Sequence, residues 1–272
     1  MFAELLKSNE GIFIDPTSNE SLIFNEDKMC IETKNHSRLY SITDGIIILL
    51  DENSDQNSLP YDKFSKNYDP WILGTKFSYK ILKRIIWNVS DEFEYTNKVV
   101  RLIPEEFDGI ILDVPVGTGI FTVEKYKQLK KATIIVIDYS LEMLKLAKKR
   151  FEQANIKNVI YFQGDVCKLP LSDGVIDMLV SMSGLESFRE KERAIQEMSR
   201  VIKSKGRFIG CTYVKGKKLM KDIFSKLSTK RTGLLLGPFY TEKELLEIFS
   251  SYFEIKQFEI TKSIMSFDGI KK

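Results

Sequence analysis

The sequence predicts an α/β protein built on a doubly wound, mostly parallel sheet, with a small β-rich unit ahead of it. Three observations carry this. From Asp108 onward, short continuous apolar runs alternate with amphipathic helical stretches, the order expected of a parallel sheet covered on both faces. The first fifty residues instead hold four short apolar runs separated by turn residues, which read as strands. The chain has 272 residues, 43% hydrophobic and 29% charged. That suits one large domain, or one of roughly 150–200 residues with an appendage.

Taken in order, 12–15, 21–24, 29–33 and 39–50 are the apolar runs of the β-rich unit, assigned to 1–52. A polar, acidic stretch without periodicity follows and is read as a linker over 53–60. The remaining domain, 61–272, opens with a helical stretch over 61–100, where Phe77, Ile81, Ile85 and Ile86 recur at helical spacing. GIILDV (109–114) is an uninterrupted apolar run, as expected of a strand buried on both faces. Helix 121–131, strand 132–138, helix 141–155 and strand 158–163 continue the alternation, followed by strand 175–181, helix 190–203 and strand 207–214. Thr241 with Glu244 three residues on forms a capping-box pattern opening a helix over 241–252. Segments 253–260 and 262–270 read as a closing hairpin.

Composition excludes several classes. Cys30, Cys167 and Cys211 are too few and too scattered for a disulfide framework and suit a reducing, cytoplasmic setting. No apolar run approaches the ~18 residues of a membrane span, and the first residues carry no signal-peptide pattern. With one histidine, His36, a His-rich metal site is ruled out. The net charge of +3 lends little support to a nucleic-acid partner.

The segment Ile111-Leu112-Asp113-Val114-Pro115-Val116-Gly117-Thr118-Gly119 joins a buried strand to a helix. Its two glycines let the backbone turn tightly and approach a ligand, although Gly-x-Gly alone also suits a plain turn. Asp113, Asp138 and Asp165 fall at or just after the ends of three successive strands. That is the carboxyl edge where open α/β sheets bind ligands. Each acid could equally serve as a helix N-cap; the three in register with a glycine turn favour a site. A carboxylate after the second strand suits two ribose hydroxyls, and one after the third suits an adenine amine.

These motifs resemble the class I S-adenosylmethionine-dependent methyltransferases of the ubiquinone/menaquinone-biosynthesis type. ILDVPVGTG, VIDYSLEML, GDVCKLPLSDGVIDMLVS, EMSRVIKSKGRF and FYTEKELLEIF occur in that family's order, and YDKFSKNYD resembles its leading helix. The resemblance covers about 61–270. It implies a Rossmann-like, seven-stranded sheet with one antiparallel strand and S-adenosylmethionine as cofactor. Asp113 and the turn Pro115, Val116, Gly117, Thr118 and Gly119 would hold the methionine end. Asp138 would take the ribose, and Tyr139, Met143, Asp165 and Val166 would surround the adenine side. Ser181 would lie near the sulfonium, with Tyr61 and Tyr68 as lid residues. Pro115 stands where the family often has glycine. A dinucleotide dehydrogenase is disfavoured, because Thr122 occupies the third glycine position of Gly-x-Gly-x-x-Gly.

Many family members carry two histidines after the fourth strand; here Glu186 and Ser187 stand there. Glu186 is the candidate base, or a ligand for a cationic substrate, set against an exposed loop acid. The aromatic residues between Tyr61 and Trp87 could cover an apolar or aromatic acceptor or simply form core. The basic run Lys215, Lys217, Lys218, Lys221, Lys226, Lys230 and Arg231 is either a solvated helix face or a substrate contact. The first fifty residues resemble the zinc-ribbon-like domain of the tRNA methyltransferase activator Trm112. Asp15, Ser18, Thr33 and His36 stand at its ligand positions, so a metal-free remnant is expected. The expected function is methyl transfer to a small, apolar or aromatic acceptor. An RNA substrate, or a binding or non-methylating use of the fold, are the alternatives.

Overall fold

A computed structural model describes residues 2–50, 60–79, 81, 92–217 and 234–272. The linker stretch 51–59, Trp87, Ile85 and Ile86, and the basic residues from Lys218 to Arg231 lie outside the described residues. The strands are β1 (Leu22–Asn25), β2 (Cys30–Thr33), β3 (Leu39–Thr43), β4 (Ile46–Ile48), β5 (Ile110–Asp113), β6 (Thr133–Asp138), β7 (Val159–Gln163), β8 (Ile176–Met182), β9 (Ile202–Tyr213), β10 (Phe253–Thr261) and β11 (Ile264–Lys271). The named helices are α1 (Phe2–Ser8), α2 (Pro60–Ile72), α3 (Phe93–Val100), α4 (Val123–Tyr126), α5 (Leu141–Gln153), α6 (Lys191–Val201) and α7 (Glu242–Ser250).

All the described strands form one sheet in the order β1-β2-β3-β4-β7-β6-β5-β8-β9-β11-β10. The seven from β7 to β10 are the expected core. β5, β6, β7, β8 and β9 run parallel, and β11 is antiparallel to both β9 and β10. This topology places the ends of β5, β6 and β8 side by side, with the strand order reversing at β5. That is the switch point where α/β sheets bind ligands.

The sheet is longer than the expected seven strands because β4 pairs in parallel with β7, Ile46 opposite Tyr161 and Ile48 opposite Gln163. The described segment 2–50 therefore continues the core sheet. Its hydrophobic residues join the same core: Phe13 meets Phe162 with ring centroids 5.2 Å apart, and Leu6, Leu22 and Ile31 are buried beside Ile160 and Ile137. Ile14 N–H donates to the Pro170 carbonyl at 3.2 Å, and Ser172 N–H to that of Ile12 at 2.9 Å.

The alternation of β5, β6 and β7 feeds two cores. Leu112, Ile135 and Ile160 face α6 and α7 through Ile195, Met198 and Phe249. Ile111, Ile134 and Val159 face α3 and α5 through Val99, Ala147 and Phe151. Helix 121–131 is shorter than expected, because α4 spans Val123–Tyr126 and the chain then tightens, Gln128 N–H donating to Lys125 O and Leu129 N–H to Tyr126 O. The capping box of α7 is present, with both Thr241 and Glu244 bonded as the pattern demands. No helix among the described residues is long and apolar enough to cross a membrane.

At the degenerate ligand positions, Asp15 is buried and its Oδ1 accepts the N–H groups of Thr17 and Ser18 at 2.6 and 3.1 Å. The Thr33 hydroxyl donates to Asn35 Oδ1 at 2.8 Å. His36 is exposed and its Nδ1 lies 3.0 Å from Glu32. Arg38 Nη1 lies 3.8 Å from Asp15 Oδ1.

Candidate cofactor and acceptor site

The chain leaves β5 at Asp113 and turns through Pro115–Gly119 into α4. Gly117 and Gly119 sit at φ +56° and +67°, the left-handed region that glycine enters without strain. Gly119 is further restricted: a Cβ there would lie 2.6 Å from the Phe151 ring on α5. The turn is tied to β6, since Val116 N–H donates to Ile137 O at 3.0 Å and Gly117 N–H to Asp138 Oδ2 at 2.8 Å.

Asp113 and Asp138 are both buried. Asp113 Oδ2 accepts the hydroxyls of Thr122 (3.1 Å) and Tyr126 (2.9 Å), so it braces α4 against β5. Burial outweighs these bonds and pushes its carboxyl up to about 7. Asp138 accepts Gly117 N–H on one oxygen and Ser140 N–H, at 2.9 Å, on the other. Burial again dominates and raises it to about 6. Ser140 caps α5, its Oγ accepting Met143 N–H at 3.2 Å, which leaves Met143 buried in the first turn. Asp165 does act as a cap: its Oδ1 accepts Cys167 N–H at 2.8 Å and opens the turn Val166–Lys168, with Val166 buried. Tyr139 is half-buried, and its carbonyl accepts Gln163 Nε2 at 3.1 Å, joining the ends of β6 and β7.

Helix α2 lies over this edge. Tyr61 and Tyr68 are half-buried, and Tyr68 Oη lies 3.9 Å from where a Gly117 Cβ would stand. The sequence reasoning missed Asp62 and Asp69, seven residues apart and so on one helical face. Asp69 accepts the Thr118 hydroxyl at 2.7 Å and pairs with Arg150 of α5, while Asp62 accepts the Ser140 hydroxyl. Arg150 also donates to the Thr118 carbonyl. The repeated Tyr-Asp of YDKFSKNYD was the signal available. Within α2, Phe64 packs against Tyr68 and Trp71 with ring centroids 6.2 and 6.3 Å apart.

The loop after β8 forms the opposite wall. Gly184 packs on the turn so closely that a Cβ would fall 2.3 Å from Pro115 Cδ and 2.9 Å from Ser181 Oγ. Glu186 is buried rather than an exposed loop acid. Its Oε2 accepts the Thr212 hydroxyl at 2.9 Å, and burial raises its carboxyl above the usual range. Tyr61 bridges from α2 to this loop, bonding Ser187 Oγ at 2.7 Å and donating to Leu234 O at 2.9 Å. Lys215 and Lys217 lie in a bend after β9, not on a helix as expected, and pair with Glu244 and Glu242 of α7 at 3.2 and 2.8 Å.

The residues present suit S-adenosylmethionine. The Ser181 hydroxyl and the Gln163 Oε1 are buried without a hydrogen-bond partner among the described residues, an arrangement that otherwise costs about 1–3 kcal/mol each. Asp138 spends one lone pair of each oxygen on backbone N–H groups and retains others for hydroxyls. Among the described residues, no group of three or more His, Cys, Asp or Glu could hold a metal.

Residues 111–206 match the methyltransferase-domain family. The chain is 29% identical over 147 residues to the ubiquinone/menaquinone biosynthesis C-methyltransferase UbiE of Wigglesworthia glossinidia brevipalpis, covering 52% of this chain and 59% of that one. It is 30% identical over 131 residues to a demethylmenaquinone methyltransferase of Thermotoga maritima, covering 48% and 55%. The chain thus spans less than two thirds of the length of these relatives. Among solved structures, an S-adenosylmethionine-dependent methyltransferase of Thermotoga maritima superimposes with a TM-score of 0.57 at 19% identity, over 78% of this chain and 98% of that one.

Proposed function

We propose that this chain, a class I S-adenosylmethionine-dependent methyltransferase by its domain at 111–206, methylates a small, apolar or aromatic acceptor by in-line transfer. The observation that carries the reading is the junction made by Tyr61. Tyr61 of α2 bonds Ser187 and Leu234, while Tyr68 of the same helix approaches Gly117, so α2 ties the glycine turn to the loop bearing Glu186.

When bound, S-adenosylmethionine supplies an electrophilic methyl group on a sulfonium. Asp138 would hold the ribose hydroxyls, with Tyr139, Met143, Asp165 and Val166 on the adenine side. Asp113 and Pro115–Gly119 would hold the methionine end, with Ser181 beside the sulfonium. Tyr61 and Tyr68 exclude water and align the acceptor. Alignment of this kind can contribute about 7–11 kcal/mol to lowering a barrier. Glu186, its carboxyl raised above the usual carboxylate range by burial, is suited to accept a proton from the acceptor or to hold it by a hydrogen bond.

The relatives' names point to quinone nuclei as probes. Calorimetry with S-adenosylmethionine on the unsubstituted chain and on Asp138→Ala tests the premise, and absence of binding by the unsubstituted chain overturns it. Transfer of radiolabelled methyl to reduced demethylmenaquinone, simple phenols or bulk tRNA then assigns the acceptor class. Label in tRNA with steeply salt-dependent binding would reassign it to RNA. Binding without label in any of them would point to a non-methylating use.

A further inference from the structure

Lys191 opens α6 and is buried. Both facts disfavour a cation: the start of a helix carries partial positive charge, and burial strips water from the ammonium. All three of its N–H donors are nevertheless used. They reach the carbonyls of Leu185 at 2.6 Å, Phe188 at 2.9 Å and Leu236 at 2.5 Å. A neutral amine would have two donors for these three carbonyls, so the cage is built for the charged form.

The three acceptors come from two segments far apart in sequence. Leu185 and Phe188 bracket Glu186 and Ser187, while Leu236 lies in the stretch after 233. Two further contacts join the same segments: Leu236 N–H donates to Glu186 O at 2.7 Å, and Tyr61 bonds to both Ser187 and Leu234. Removing the ammonium would leave the buried Leu185 and Phe188 carbonyls and the part-buried Leu236 carbonyl short of a donor, beside the residues proposed to face the acceptor.

The geometry points to Lys191 as a positioning residue for the acceptor side of the site, clasping the 185–188 loop to the 234–236 segment so that Glu186, Ser187 and Tyr61 stand in one wall. The assignment of that wall to the acceptor rests on the methyltransferase reading; the clasp itself does not. Lys191 acts through these loops and is distant in its bonding from the glycine turn and Asp138, whose partners are all elsewhere.

The test is hydrogen–deuterium exchange on the full chain bearing Lys191→Met, beside calorimetry with S-adenosylmethionine and methyl transfer to reduced demethylmenaquinone. Exchange in peptides containing 184–188 and 236 is expected to rise roughly tenfold or more, as lost buried hydrogen bonds require. Peptides over 111–119 and 134–140 stay unchanged. Cofactor Kd stays within about twofold, and acceptor KM rises roughly tenfold with a smaller change in kcat. Unchanged exchange in both loops overturns the proposal, as does a parallel loss of cofactor affinity, which would mark a general structural role. Should Lys191→Met fail to fold, Lys191→Arg keeps the charge but not the three-carbonyl geometry, and the same peptides decide. The exchange measurement needs no substrate. Failure of the unsubstituted chain to transfer methyl therefore counts against the function reading, while the exchange still decides the clasp.

Discussion

The Oδ2 of Asp138 accepts the N–H of Gly117 at 2.8 Å, so the acid that ends β6 also holds the glycine turn that leaves β5. One carboxylate thereby shapes the turn and, in the proposed function, would also hold the cofactor. Asp138→Ala is expected to weaken S-adenosylmethionine binding by roughly 100-fold or more, since hydrogen bonds to a charged group contribute about 1.5–3 kcal/mol each. It also leaves the Gly117 and Ser140 N–H groups unpaired, so the urea midpoint falls as well. Asp138→Asn keeps one oxygen acceptor and should fall between the two proteins in calorimetry and in denaturation.

The two buried acids make both stability and affinity depend on pH. Asp113 stands at about 7 and Asp138 at about 6, above the unfolded value near 3.8. With folded values raised, the folded chain binds more protons than the unfolded one between pH 4 and 7. Their contribution to stability is therefore full below about pH 4 and is lost as pH rises through 6 and 7. Urea midpoints of the ligand-free chain should show this slope, and Asp113→Asn, which keeps an acceptor for Thr122 and Tyr126, should flatten it. Affinity for the net-cationic cofactor runs the other way, rising as the acids ionise. Calorimetry near pH 6.5 in buffers of different ionisation enthalpy should detect proton release on binding.

Helix α2 is latched at both ends of the site, by Asp62 to Ser140 and by Asp69 to Thr118 and Arg150. Asp69→Ala removes a charge-assisted pair and leaves Arg150 without its carboxylate. We expect cofactor release to speed up by roughly 5- to 30-fold, the range that corresponds to 1–2 kcal/mol, and proteolytic nicking within 60–79 to increase. Stopped-flow displacement of S-adenosylmethionine measures the first. An unchanged rate would mean that α2 does not gate the site.

The parts of this arrangement legible in sequence are those encoded locally. β5, β6 and β7 read as strands because residues such as Leu112, Ile135 and Ile160 are buried without interruption, and the capping box announced α7 from four residues. The glycine turn and its acids were legible because strand ends repeat the same chemistry at the same sheet edge. Asp62 and Asp69 were not, because their partners lie 49 to 81 positions away and an acid on a helix ordinarily faces water. The length of α4 was overestimated for a related reason. Thr122 and Tyr126 answer to Asp113, and the chain beyond Tyr126 follows that packing rather than helical propensity. The pairing of β4 with β7 joins segments more than a hundred residues apart, which short apolar runs do not disclose.

Gly184 and Pro115 make the sharpest steric prediction. A Cβ on Gly184 meets Pro115 Cδ at 2.3 Å, the Phe188 ring at 2.8 Å and Ser181 Oγ at 2.9 Å, and the proline ring cannot swing aside as a flexible side chain would. Overpacking of this kind costs about 1–3 kcal/mol, so Gly184→Ala should lower Tm by roughly 2–12 °C for a domain of this size. The contact also couples the 115–119 turn to the 184–188 loop, so, on the proposed function, cofactor affinity should fall with it. Pro115→Gly removes the obstructing ring. If the contact is the cause, the double variant recovers part of the loss, and the two substitutions depart from additivity by at least about 0.5 kcal/mol. Strict additivity in thermal denaturation would place the strain of Gly184→Ala at Phe188 or Ser181 instead.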